Sequence, residues 1–184
     1  MENPLLDDLL AAHPPVLTPV SARVAALVCD ECGLAGGCTD DYWEVVAPTP
    51  TTLCQVCALG RSVAWETGRV RLALVPELRQ AQLNSVVTLL TVNLMRSRAG
   101  ASIPAGIDAV LQAHLLDALQ QRAHATAAAL PCAATPTRLR KTLQGLPPDA
   151  RAGVAAELTA LRYLPEPSDP ELARFFNRRR AMVA

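Results

Sequence analysis

Two Cys-x-x-Cys pairs, Cys29/Cys32 and Cys54/Cys57, are the residues of this chain whose types and spacing could do chemistry. Each pair forms a knuckle that turns two sulfurs toward one point. Together they supply the four thiolates that Zn²⁺ binds as a tetrahedron. A four-sulfur shell is closed: it leaves no coordination position for a water nucleophile, so the expected role of the ion is structural. Metal site residues are therefore predicted at Cys29, Cys32, Cys54 and Cys57, with Zn²⁺ as cofactor and no catalytic residue.

The competing chemistry for such a clasp is nuclease chemistry. A zinc-clasped ββα-metal (HNH) nuclease needs a His general base on its hairpin and a further His or Asn to hold a catalytic divalent ion. The three histidines are His13, His114 and His124, and the asparagines are Asn3, Asn84, Asn93 and Asn177. None falls between Cys32 and Cys54 or just after Cys57. Asp40, Asp41 and Glu44 could bind a hard cation but cannot replace an imidazole base near neutral pH. The chain is accordingly read as non-enzymatic.

Other reactive residues carry less. Cys38 is a fifth thiol near the clasp, able to replace a ligand but expected as a bystander or a packed thiol. Cys132, beside Pro131, reads as an inert packed cysteine. His114 and His124 are too far apart along one helix to share an ion. The basic clusters Arg138/Arg140/Lys141 and Arg174/Arg178/Arg179/Arg180 fall in the last turns of helices, where the macrodipole favours cations; the second could also meet phosphate or an acidic partner.

Elements must hold the sulfurs in place. Arg23–Val28 and Tyr42–Ala47 read as strands around the first knuckle, with Gly33, Gly36 and Gly37 in its turn. A short helix is expected from Cys54 through Val63, and Arg69–Val75 alternates as a half-buried strand. Helices are then predicted over Glu77–Arg98 (Leu83, Val86, Val87, Leu90, Leu94 inward) and Ile107–Leu130 (Val110, Leu111, Leu115, Leu119 on one stripe). Thr135-Pro136 caps a short helix ending near Gly145, and Asp149–Leu161 and Asp169–Met182 follow. Residues 4–12 could form an amphipathic helix. The fold class is α+β: residues 1–20 an arm, 21–76 a zinc-clasped β-hairpin (HNH-like, ββα) module, and 77–184 a mainly helical region packed on it.

Composition bounds the rest. Hydrophobic residues are 51% and charged residues 18%, enough apolar material for a core. Aromatics are only 3%, against an extensive base-stacking surface. Seventeen basic residues balance seventeen acidic ones, so bulk charge points to neither nucleic acid nor anionic lipid. Leu83–Met95 is too interrupted for a membrane span and the N-terminus lacks a signal peptide's basic start. A reducing cytoplasm is the expected compartment, where thiols stay available to metal; three disulfides would be the alternative in a secreted chain.

The stretch Leu74-Val75-Pro76-Glu77-Leu78-Arg79-Gln80-Ala81-Gln82-Leu83-Asn84-Ser85 resembles the "LPEL-x-Q-A-x-LN" segment of the IcmJ/DotN family of type IVB (Dot/Icm-like) secretion systems. The order of first knuckle, hairpin, second knuckle, strand and signature is also similar, over roughly residues 22–98. The resemblance implies an HNH-like zinc fold without nuclease activity, acting as an adaptor. Its implied partners are the coupling ATPase at the cytoplasmic face of the inner membrane and other coupling-complex subunits, with no direct membrane insertion. The helices beyond Arg98 carry no alignable motif, so the partner-binding surface does not transfer. The alternative reading is a zinc-ribbon nucleic-acid-binding regulator.

Overall fold

Tyr42-Trp43-Glu44-Val45 forms a strand because its ends can be buried while its middle stays partly wet: Tyr42 and Val45 enter the core, and Trp43 and Glu44 are half-buried. The computed structural model describes residues 9–11, 15–20, 27–36, 39–46, 50–61, 70–101 and 108–182. Within them the fold is α+β, with two small antiparallel sheets and six helices. The first sheet runs in the order β1 (Leu17–Pro19), β2 (Tyr42–Val45), β3 (Thr51–Cys54). Pro19 is tolerated in β1 because that strand lies at the sheet edge. Tyr42 is paired with Cys54, so the register of this sheet sets the height of the second knuckle.

Helix α1 (Gln55–Arg61) follows β3 without a linker, as expected for a knuckle that opens a helix. The expected strand at Arg23–Val28 lies largely outside the described residues; Val28 itself bridges to Ala35. Of the predicted N-terminal helix only 9–11 are described, and Leu9 there is fully buried.

Strand β4 (Val70–Leu74) departs from simple alternation. Val70 and Leu72 join the main core, but Ala73 is also buried while Leu74 is partly exposed. The opposite face of β4 is covered by the helix over Ala109–Ala129, so both faces exclude water at Ala73. The partner of β4 is β5 (Leu161–Pro165), antiparallel, with Leu72 opposite Tyr163. This corrects the predicted helix over Asp149–Leu161: helix α5 is Pro148–Glu157, and the five residues after Ala160 are a strand. All five are buried, so no period-two pattern marks them in the sequence.

Helix α2 (Gln80–Arg98) starts later than Glu77, with Arg79 as its extended cap and the Gln82 side chain accepting from the Arg79 N–H at 2.9 Å. Leu83, Val87 and Leu90 are buried as predicted. Helix α3 (Ala109–Ala129) is capped by Asp108, whose carboxylate accepts from the Val110 N–H. Of its expected apolar stripe only Leu119 packs against a core cluster. Val110, Leu111 and Leu115 are 60%, 52% and 43% exposed, and the buried residues are Gln112, Ala123 and Thr126. Small side chains decide this, because Ala123 and Thr126 let the helix approach β4 closely enough for Thr126 Oγ1 to accept from the Leu74 N–H at 2.9 Å. Helix α4 (Pro136–Gln144) begins at Thr135, as the Thr-Pro pair predicts. Helix α6 (Pro170–Met182) closes the described chain, with Asp169 accepting from the Leu172 N–H. Among the described residues no helix is long and apolar enough to cross a membrane.

Candidate metal centre

Cys29 sits at the entry of a tight turn. The Gly33 N–H donates to the Cys29 carbonyl at 2.8 Å, the Cys29 N–H to Leu34 O at 2.9 Å, and the Gly36 N–H to Leu27 O at 3.0 Å. Gly33 and Gly36 both have φ of 73°, a conformation that costs other residues energy. The turn is tied to the second knuckle's strand on both sides of one peptide. The Asp30 N–H donates to Thr52 O and the Asp30 carboxylate accepts from the Thr52 N–H at 2.7 Å.

These connections bring the four predicted sulfurs together, all within 4.8 Å of one another. Cys32 Sγ and Cys54 Sγ are 3.7 Å apart. A tetrahedron with metal–sulfur bonds of about 2.3 Å has edges of about 3.8 Å, so this spacing fits one Zn²⁺-sized ion. Cys29, Cys54 and Cys57 are at most 1% exposed and Cys32 is half-buried; all four are free thiols. Among the described residues this is the one cluster of His, Cys, Asp and Glu able to hold a metal.

The electrostatics of the four sulfurs favour a cation at their centre. The Cys29 thiol is held far below its ordinary value because Cys32, then Cys54 and Cys57, hydrogen-bond to its sulfur. That interaction pushes Cys54 and Cys57 well up. Cys32 is also lowered, by hydrogen bonds from Cys54 and Cys57, so two sulfurs favour the thiolate while the other two hold their protons. A divalent ion removes the conflict by stabilising all four thiolates at once.

Residues that the sequence did not assign to the clasp support it from two sides. On one side, the Asn84 carboxamide of α2 donates to Cys57 Sγ at 3.1 Å and to the Tyr163 hydroxyl at 2.8 Å. Asn84 Oδ1 accepts from Gln80 Nε2, and the Gln80 carboxamide pairs with both the N–H and the carbonyl of Tyr163. The Tyr163 hydroxyl lies 3.2 Å from Cys57 O and 3.4 Å from Glu31 Oε1. Burial pushes the phenol's pKa well up, so it keeps the proton it donates. Gln80 and Asn84 lie one turn apart on a mostly apolar helix face, and that misplaced polarity was the available signal.

On the other side, the Tyr42 hydroxyl reaches the carbonyls of Gly36 at 2.7 Å and Leu34 at 2.9 Å. It accepts in turn from Arg179 Nη2, while Arg179 Nη1 donates to Ala35 O at 2.8 Å. The guanidinium lies 5.7 Å from the Tyr42 ring centre and 5.3 Å from that of Phe175. Arg178 pairs with the fully buried Asp41, its Nε 2.7 Å from Oδ1. Two of the four C-terminal arginines are therefore engaged by partners within the molecule, Arg179 buried and Arg178 still partly exposed, and Asp41 is an ion-pair partner rather than a cation ligand.

The remaining candidates stay apart from the clasp. His114 and His124 are exposed on α3, with His124 Nε2 2.6 Å from Arg71 Nη1. Cys132 is half-buried against the main core, as a packed thiol should be. His13 and Cys38 lie outside the described residues. Comparison with protein-family models and with curated proteins yields no match.

Asn84→Leu is expected to weaken metal binding about tenfold by removing the N–H···S bond to Cys57, within the range typical for groups that orient metal ligands. Competition with a chromophoric chelator measures it, and an unchanged affinity would show the contact to be idle.

Proposed function

We propose that the chain is a non-catalytic, zinc-stabilised adaptor of a type IVB secretion or conjugation coupling complex, binding the coupling ATPase at the cytoplasmic side of the inner membrane. The observation that supports the non-catalytic part is the four-sulfur set, which could hold an ion and, with all four sulfurs bound, would leave it no position for substrate or water. Residues Cys29, Cys32, Cys54 and Cys57 would hold the zinc, which links segments too small to bury a core alone. An HNH-like reading is supported by the direct succession of β2, β3 and α1 with the second knuckle at the β3–α1 junction. The secretion-system part rests on the signature resemblance. Within that signature, Gln80 and Asn84 are the side chains that fasten α2 to the clasp.

The nucleic-acid-binding alternative is weaker, because Arg178 and Arg179 of its basic cluster are engaged by Asp41, Tyr42 and Ala35. An adaptor needs an apolar surface instead. A groove of about 360 Å³ between α2 and α3 is lined by Leu78, Val86, Leu90, Leu115 and Leu119. A partner's amphipathic helix would lie there.

The test is co-purification with the cytoplasmic part of the coupling ATPase. The metal-loaded chain should be retained, Cys54→Ser/Cys57→Ser should lose retention, and Leu115→Asp should reduce it at least tenfold with metal content unchanged. Retention that survives metal removal would count against the clasp's role. No retention of the loaded chain would remove the coupling-complex reading.

A further inference from the structure

The four sulfurs are not equally protected. Cys29, Cys54 and Cys57 are at most 1% exposed, whereas Cys32 is half-buried and lines a surface groove of about 310 Å³ between the first knuckle and α2. Leu34, Ala35, Leu89 and Val92 make most of its wall apolar, Ser85 and Arg179 add polar groups, and Leu89 is 53% exposed at its rim. A small oxidant can enter such a groove, while a bulky one is hindered. Within the clasp, Cys54 Sγ stands 3.7 Å from Cys32 Sγ, close enough to bond after a small shift of one side chain.

We propose that Cys32 is an oxidation site through which hydrogen peroxide opens the clasp. The Cys32 thiolate attacks one peroxide oxygen, the O–O bond breaks and hydroxide leaves, giving a sulfenic acid. The Cys54 thiolate then attacks the Cys32 sulfur, the S–O bond breaks and a second hydroxide leaves. Two electrons pass from the sulfur pair to peroxide, and one disulfide replaces two ligands. The clasp keeps only Cys29 and Cys57, too few to retain its ion. A dithiol reductant reverses the step and allows reloading. The disulfide still ties the first knuckle to the end of β3, so what oxidation releases is the ion and the hold of Cys29 and Cys57 on it.

The inference rests on the zinc reading above, and the experiment separates the two. Metal content of the purified full-length chain is measured first, by native mass spectrometry. The loaded chain is then titrated with hydrogen peroxide, remaining thiols are blocked with N-ethylmaleimide, and peptides are mapped. The expected first product is the Cys32–Cys54 disulfide, with one ion released per disulfide to a chromophoric chelator and recovery on adding dithiothreitol and zinc. Wild-type protein suffices, so a misfolded variant cannot obscure the result. In a second measurement, limiting iodoacetamide on the loaded chain should label Cys32 at least fivefold faster than Cys29, Cys54 or Cys57. A metal-free purified chain would defeat the zinc reading. A loaded chain that resists peroxide, or whose first oxidised residue is Cys38, Cys132 or a clasp cysteine other than Cys32, would overturn this inference alone.

Discussion

Cys54→Ser, or extraction of the metal by a strong chelator, is expected to abolish the cooperative thermal transition of the whole described fold. The clasp joins a turn held by two positive-φ glycines to the β3–α1 junction, and the main core runs through both. Structural zinc contributes an apparent free energy of about 10 kcal/mol or more in small zinc modules. A domain of this size is stable by only about 5–15 kcal/mol. Losing the first term therefore consumes most of the second. Cys132→Ser is the control, since Cys132 only packs against the core, and it should cost no more than about 1 kcal/mol. Circular dichroism melting with parallel metal analysis checks both. A metal-free chain that melts cooperatively at an unchanged temperature would contradict the structural role of the site.

The second large effect is expected at Gly60, near the end of α1. By helix propensity alone, Gly→Ala there should stabilise by about 1 kcal/mol. The structure reverses the sign. A Cβ at position 60 would lie 1.8 Å from Tyr163 Cζ, with two further ring carbons at 2.0 and 2.2 Å. The ring cannot swing aside freely, because its hydroxyl meets Asn84 and Cys57 and its backbone is paired with Gln80 and Leu72. Overpacking of this kind costs about 3 kcal/mol or more when the obstacle is fixed. Gly60→Ala should thus destabilise by that amount in chemical denaturation and should also lower metal affinity, since Tyr163 and Asn84 both touch Cys57. A stabilised Gly60→Ala variant would mean that Tyr163 is not held where it stands.

These two sites differ in how far they could be read beforehand. The cysteine pairs announced themselves because metal chemistry demands particular atoms at short spacings, and short spacings are visible in a linear chain. The Thr135 cap, the helix opening at the second knuckle and the buried face of α2 were likewise local matters, whereas strand β3 was not expected. Tyr163 was not visible as part of the site. It lies more than a hundred residues after Cys57, in a strand whose five residues are all buried and so lack an alternating pattern. Its pairing with β4 is a non-local choice. The stripe on α3 misled for a related reason: Val110, Leu111 and Leu115 have the right period, but Ala123 and Thr126 pack closer to β4.

What the sequence determined by itself was the donor set, the glycine turn after the first knuckle and the helix that opens at the second, because thiol chemistry, turn glycines and helix caps act over a few residues. Only the tertiary structure decided which helix face is buried, how the C-terminal arginines are spent and which side chains brace the sulfurs. Those outcomes depend on which distant segments fit together once water is excluded, and van der Waals contact and hydrogen-bond geometry fix that fit in space rather than along the chain.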